Sequence, residues 1–220
     1  MTEVLDIFPD LSHVRLGDRP LVVCDVDDVV LHFAAPFQDF LRGEGHELLP
    51  RSFRLTGNIV TVESQVTLEH ADVRRLIEAF FEAQESWQFP LDLVVQTLEA
   101  LSKDADVVFL TAMPPRYREQ RRRLLDRLGL LFPLIATEEP KGPLMQRLHA
   151  QRPLPSVFID DMPHNLHSVR DHVPACLLLH MMPDSPLHLL APKPAEGIVR
   201  AIDWPHAAEL IQAHIRSEVT

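Results

Sequence analysis

The residues best equipped for chemistry are carboxylates that follow directly on apolar runs. In LVVCDVDDVVL, residues 21–24 lead into Asp25, Asp27 and Asp28. Residues two apart in an extended chain point the same way, so Asp25 and Asp27 can converge on one site while Val26 faces elsewhere. A second run, VFIDDMPHN, ends in Asp160 and Asp161. Acidic residues also open turns and cap helices. Three carboxylates crowded behind one apolar run nevertheless repel one another, and a bound cation would relieve that repulsion. A few hard oxygen donors, with room left for waters and a phosphate, suit Mg²⁺ better than zinc. VVFLTAMP places Thr111 at the end of a third run, where its hydroxyl and the backbone N–H groups from Ala112 onward could hold phosphoryl oxygens. EEPKGP supplies Lys141 as the positive charge such a site needs. Taken singly these two say little, because a strand-end threonine is usually structural and a lone lysine usually solvated.

Such carboxylates need a sheet to present them. LVVC (21–24), VVFL (107–110), VFI (157–159) and CLLL (176–179) are continuous apolar runs, the pattern of strands covered on both faces, with LIAT (134–137) a weaker fifth. Amphipathic segments lie between them at 91–103 and 117–129. The alternation predicts an α/β core, a three-layer Rossmann-like parallel sheet between helices, whose ligands bind at the carboxyl ends of the strands. The 76 residues from Leu31 to Asp106 are too many for one crossover. With 91–103 as the crossover helix, 58 residues, 32–89, remain as an insertion, and the core is 1–31 and 90–220. Within the insertion Val73, Leu76, Ile77, Phe80 and Phe81 follow helical spacing, and Phe33, Phe37, Phe40 and Leu41 predict a second, shorter helix. FRLTGNIVTVES is a loop or a short hairpin. The insertion is expected to be a mostly helical cap. The proline-rich MPDSPLHLLAPKPAEG reads as a surface loop, with a final helix after Pro205.

DVDDVV, FLTA, PKG and FIDD, in that order and context, resemble the four motifs of the haloacid dehalogenase superfamily. The resemblance implies Asp25 as nucleophile, Asp27 as general acid and base, Thr111 as phosphate-binding hydroxyl and Lys141 as the charge that steadies nucleophile and phosphate. It further implies a Mg²⁺ site drawn from Asp25, Asp27, Asp160 and Asp161. Asp161 matches the motif's metal ligand and Asp160 the partner of the lysine or of a metal-bound water, without fixing which does which. Dehalogenating members lack an aspartate at the position of Asp27, so a phosphate ester is favoured over a haloacid. The expected activity is Mg²⁺-dependent hydrolysis of a small phosphorylated metabolite through an aspartyl-phosphate. The insertion stands where many members carry a cap over the active site. In its loop Arg54, Thr56 and Asn58 are candidates to contact substrate, although an exposed loop accounts for their polarity equally well.

Other classes fit less well. A net charge of −11 argues against a nucleic-acid polymer as partner, since that needs clustered lysine and arginine. The one basic stretch, RYREQRRRLLDR (116–127), carries apolar residues at helical spacing and reads as a solvated helix face. Cys24 and Cys176 lie in apolar runs and point to a reducing compartment. The acidic N-terminal segment has no stretch fit for a signal peptide or membrane span, so a cytoplasmic location is expected. His164 and His167 share a helix face, but no Cys or Glu completes a zinc set. A 5′-nucleotidase, a phosphoacceptor signalling module and a degenerate binding protein of this fold are the alternatives. The phosphoacceptor module has no use for so long an insertion, and the oligomeric state is left open.

Overall fold

The computed structural model describes residues 9–218. The first eight residues of the segment read above for targeting lie outside the described residues. The chain runs β1 (Leu21–Cys24), α1 (Ala34–Gly43), β2 (His46–Leu48), β3 (Ile59–Thr61), α2 (His70–Trp87), α3 (Val94–Leu101) and β4 (Asp106–Thr111). It continues through α4 (Arg118–Arg127), β5 (Leu134–Ala136), α5 (Lys141–His149), β6 (Ser156–Asp160), α6 (Pro163–His172), β7 (Leu177–His180), β8 (Val199–Arg200) and α7 (Trp204–Glu218).

The continuous apolar runs become a six-stranded parallel sheet of order β5-β4-β1-β6-β7-β8. The sheet is covered on both sides, as the runs require. Val22 and Cys24 of β1 join one core with α3, α4 and α7, while Leu21 and Val23 join another with α5 and α6. Because β1 lies between β4 and β6, Asp25, Thr111 and Asp160 reach one edge of the sheet side by side.

The segment between β1 and α3 adds no strand to that sheet. It folds as α1, an antiparallel β2–β3 pair and the long α2, so the open choice at its middle resolves as a hairpin with a ten-residue connection, 49–58. Phe37, Phe40, Leu41, Ile59, Val73 and Phe80 form a third apolar cluster, which Met113, Tyr117, Ala136 and Leu187 complete from outside the insertion. The insertion therefore shares its interior with the rest of the chain. Two features were absent from the sequence reading. The short helices α5 and α6 lie against each other, and the proline-rich segment turns inward at a 3-10 turn, His188–Leu190, burying Leu187 and His188.

Candidate active site

Asp25 continues the β1 ladder by donating its N–H to the Ile159 carbonyl at 2.9 Å, which sets its carboxylate at the centre of the sheet edge. Lys141, the first residue of α5, is buried beneath it. The ammonium lies 2.5 Å from Asp25 Oδ1 and 2.7 Å from Asp160 Oδ2, so one cation bridges the first and last motifs. Burial alone would push the Lys141 ammonium toward neutrality, but Asp160 and Asp25 outweigh it and hold the proton more tightly than usual. Gly142 lets this happen, because a Cβ there would stand 2.2 Å from the Ser168 carbonyl oxygen of α6.

The paired aspartates of the last motif divide their work. Asp160 is saturated: beyond Lys141 it accepts from the Met162 N–H at 2.8 Å and from Asn165 Nδ2 at 3.0 Å. Among the described residues the one cationic partner near the Asp161 carboxylate is the ring nitrogen of His188, at 3.9 Å. Burial raises Asp25 to about 7, against the pull of Lys141 and with reinforcement from Asp160 and Asp27. Burial, then Asp160, Asp25 and Asp28, also raises Asp161 well above the usual carboxylate range.

Ligand atoms of Asp25, Asp160 and Asp161 all lie within 4.8 Å of one another, as do those of Asp28, Asp161 and His188. With Asp160 spent on Lys141 and Asn165, the second oxygen of Asp25 and the Asp161 carboxylate could take a hard cation, which the donor chemistry of Mg²⁺ fits. Asp28 has a structural task as well. At φ +58, a left-handed conformation aspartate tolerates, it accepts from the N–H groups of Phe33 and Ala34 and so starts α1.

Asp27 belongs to neither group. Its carboxylate accepts from Arg121 Nη2 at 2.9 and 3.2 Å, from Gln88 Nε2 at 2.8 Å and from the Thr111 hydroxyl at 3.4 Å. Arg121 is fully buried, which corrects the reading of 116–127 as a solvated helix face. The same helix also fastens α2, through Arg123 and Arg127 to Glu85, while Arg116 just before it pairs with Glu78.

Of the cap candidates, Arg54 is exposed and lines a cavity of about 200 Å³ whose floor includes Asp28 and Asp161 and whose walls include Phe33, Phe53 and His188. Asn58 is buried, with its amide donated to the carbonyls of Ser52 and Arg54, so it shapes that loop. Ala112 is exposed just beyond Thr111 at the end of β4. His167 accepts the Ala195 N–H and pins the proline-rich segment. Gln88, Asn165 and His188, at or near the site, went unread in the sequence, and Arg121 was read there as solvated.

No protein-family profile matches the chain, and no curated protein does. Solved structures match across most of its length. The hydrolase YfnB of Bacillus subtilis, of the haloacid dehalogenase type and bound to magnesium, aligns over 88% of this chain and 98% of its own at 14% identity, TM-score 0.60. A Deinococcus radiodurans hydrolase of the same type with bound phosphate and sodium covers 89% and 96% at 17% identity, TM-score 0.57. The D,D-heptose 1,7-bisphosphate phosphatase of B. bronchiseptica, complexed with magnesium and phosphate, covers 88% and 98% at 12% identity, TM-score 0.53. The chain has the haloacid dehalogenase-like hydrolase fold. Among the described residues no helix is long and apolar enough to cross a membrane.

Proposed function

We propose that the chain is a Mg²⁺-dependent phosphomonoester hydrolase that works through a phosphoryl group carried on Asp25. The carrying observation is the Asp25–Lys141–Asp160 bridge at the centre of the sheet edge, beside an Asp161 whose carboxylate accepts no hydrogen bond among the described residues. Asp25 and Asp161 would hold the cation. When bound, it would offset the repulsion between carboxylates and phosphate and stabilise charge on the transferring oxygens. Lys141 orients Asp25 and shares that task. Asp25 attacks phosphorus in line, and the leaving oxygen takes a proton from Asp27. In the second step a water attacks phosphorus, Asp27 takes its proton, and the bond to Asp25 breaks to release phosphate. Arg121 and Gln88 hold the Asp27 carboxylate in one direction for both proton transfers.

The insertion, 32–89, acts as the lid over this edge, and the phosphate-bound neighbours of the same fold support a phosphorylated ligand. A cavity of about 200 Å³ holds a compact leaving group, which favours a small metabolite, with Arg54 at its rim. Turnover of para-nitrophenyl phosphate and a panel of metabolite monoesters tests the proposal. Activity with Mg²⁺ that disappears in chelator is expected. Inactivity on every ester in the presence of Mg²⁺, or equal rates in chelator, would overturn it.

A further inference from the structure

Arg121 occupies a position on α4 where apolar side chains would be expected. It lies four residues after Tyr117 and three before Leu124, on the buried stripe of its helix. Gln84 and Gln88 likewise continue the stripe of Phe80 along and just beyond α2, and both are buried. Polar groups placed there lose hydration and persist only if they satisfy one another. All but Arg121 Nη1 do so. Arg121 Nε donates to Gln84 Oε1 and Nη2 to Gln88 Oε1 at 3.1 Å, while Gln88 Nε2 reaches both Asp27 and, at 3.0 Å, the His32 carbonyl. Among the described residues Asp27 is the one carboxylate ion-paired with Arg121, whose Nη1 has no hydrogen-bond partner. The charge of the guanidinium is thus matched by Asp27 alone.

We infer that Arg121 is a positioning residue for Asp27, and that through Gln84 and Gln88 it ties the orientation of that carboxylate to the placement of α2. An apolar stripe would have joined α2 to α4 at less desolvation cost. The buried arginine adds a fixed direction for one carboxylate, held from two elements at once. Movement of α2 carries Gln88 with it and alters the hydrogen bonds on Asp27 Oδ1. The insertion would then govern the hydrolytic half of the reaction as well as access to the site. This kinetic consequence rests on the function proposed above, whereas the coupling itself does not.

The test has two arms. In the first, thermal unfolding is compared for wild type, Arg121→Met, Asp27→Asn and the double variant. Strong non-additivity is expected, with the double variant close to the worse single one, and additive shifts would overturn the inference whatever the activity. In the second, stopped-flow turnover of para-nitrophenyl phosphate is followed in Arg121→Met, Arg121→Lys and Gln88→Met. Phosphoryl transfer to Asp25 should stay near the wild-type rate while its hydrolysis slows by about tenfold or more, giving a nitrophenol burst. Arg121→Lys should recover part of the loss, and Gln88→Met, which leaves the ion pair intact, should show a smaller burst. Both phases falling together in proportion to the folded fraction would mean that Arg121 only supports packing, and would refute the inference. A wild type without turnover would fail the proposed function and leave the unfolding arm to decide the coupling.

Discussion

Gly142→Ala puts the positioning of Lys141 under direct strain. The added methyl would stand 2.2 Å from the Ser168 carbonyl oxygen, 2.5 Å from Ser168 Oγ and 2.6 Å from His172 Nδ1. Two of these obstacles are side-chain atoms, but the nearest is backbone of α6, so α5 and α6 must separate. Overpacking of this kind costs about 1–3 kcal/mol, and a backbone obstacle places it near the upper end. Alanine returns about 1 kcal/mol of helix propensity, leaving a net loss of about 2 kcal/mol. For a chain of this length that is a fall of about 4–8 °C in Tm. The matched control is Gly43→Ala in α1, where a Cβ meets nothing within 4 Å and which should gain a few tenths to about 1 kcal/mol. Calorimetry of the two variants side by side checks the sign as well as the size. Since Lys141 is the preceding residue, turnover should fall too, by up to about a hundredfold for a displacement near 1 Å. A Gly142→Ala protein as stable as Gly43→Ala would refute the close approach of α5 and α6.

Other consequences concern charge and the insertion. Asp25 is raised from 3.8 to about 7, so without metal the folded chain keeps a proton that the unfolded chain releases, and stability should fall as pH rises across that window. Mg²⁺ competes with that proton, so its Tm increment should be larger near pH 8 than near pH 5; equal increments in a fluorimetric scan would count against the metal site. Lys141→Met removes the cation between two buried carboxylates and should cost about 3–5 kcal/mol near neutral pH. The loss in urea titrations should shrink at low pH, where Asp25 takes up a proton, and a pH-independent loss would contradict the bridge. Removing 34–86 with a short linker would expose Met113, Tyr117 and Leu187, which complete the apolar cluster of the insertion. Aggregation is the expected outcome in light scattering, and a soluble monomer would show that the shared cluster matters little.

Asp25, Thr111 and Asp160 could be read from sequence because each ends an apolar run, and a parallel sheet brings such ends to one edge. The division of labour between Asp160 and Asp161 could not, since it depends on where α6 begins and hence on the Met162 N–H and Asn165. Arg121 was obscured by its neighbours. Judged as part of a basic run it looked solvated, while its place on the Tyr117–Leu124 stripe pointed inward. Gln84 and Gln88 carried the same signal, a polar residue at an apolar position of a helix. His188 had no local signal, because its burial comes from a loop folding back over the sheet edge to meet Asp28 and Asp161.

The central claim is that Asp25 carries the phosphoryl group. Asp27→Asn, quenched in acid after mixing with para-nitrophenyl phosphate and Mg²⁺, should accumulate the intermediate because no base remains to activate water. Intact-mass spectrometry should show one added phosphoryl group, and borohydride reduction followed by peptide mapping should place it at Asp25. A phosphoryl group on Asp160 or Asp161, or none while turnover persists, would contradict the account.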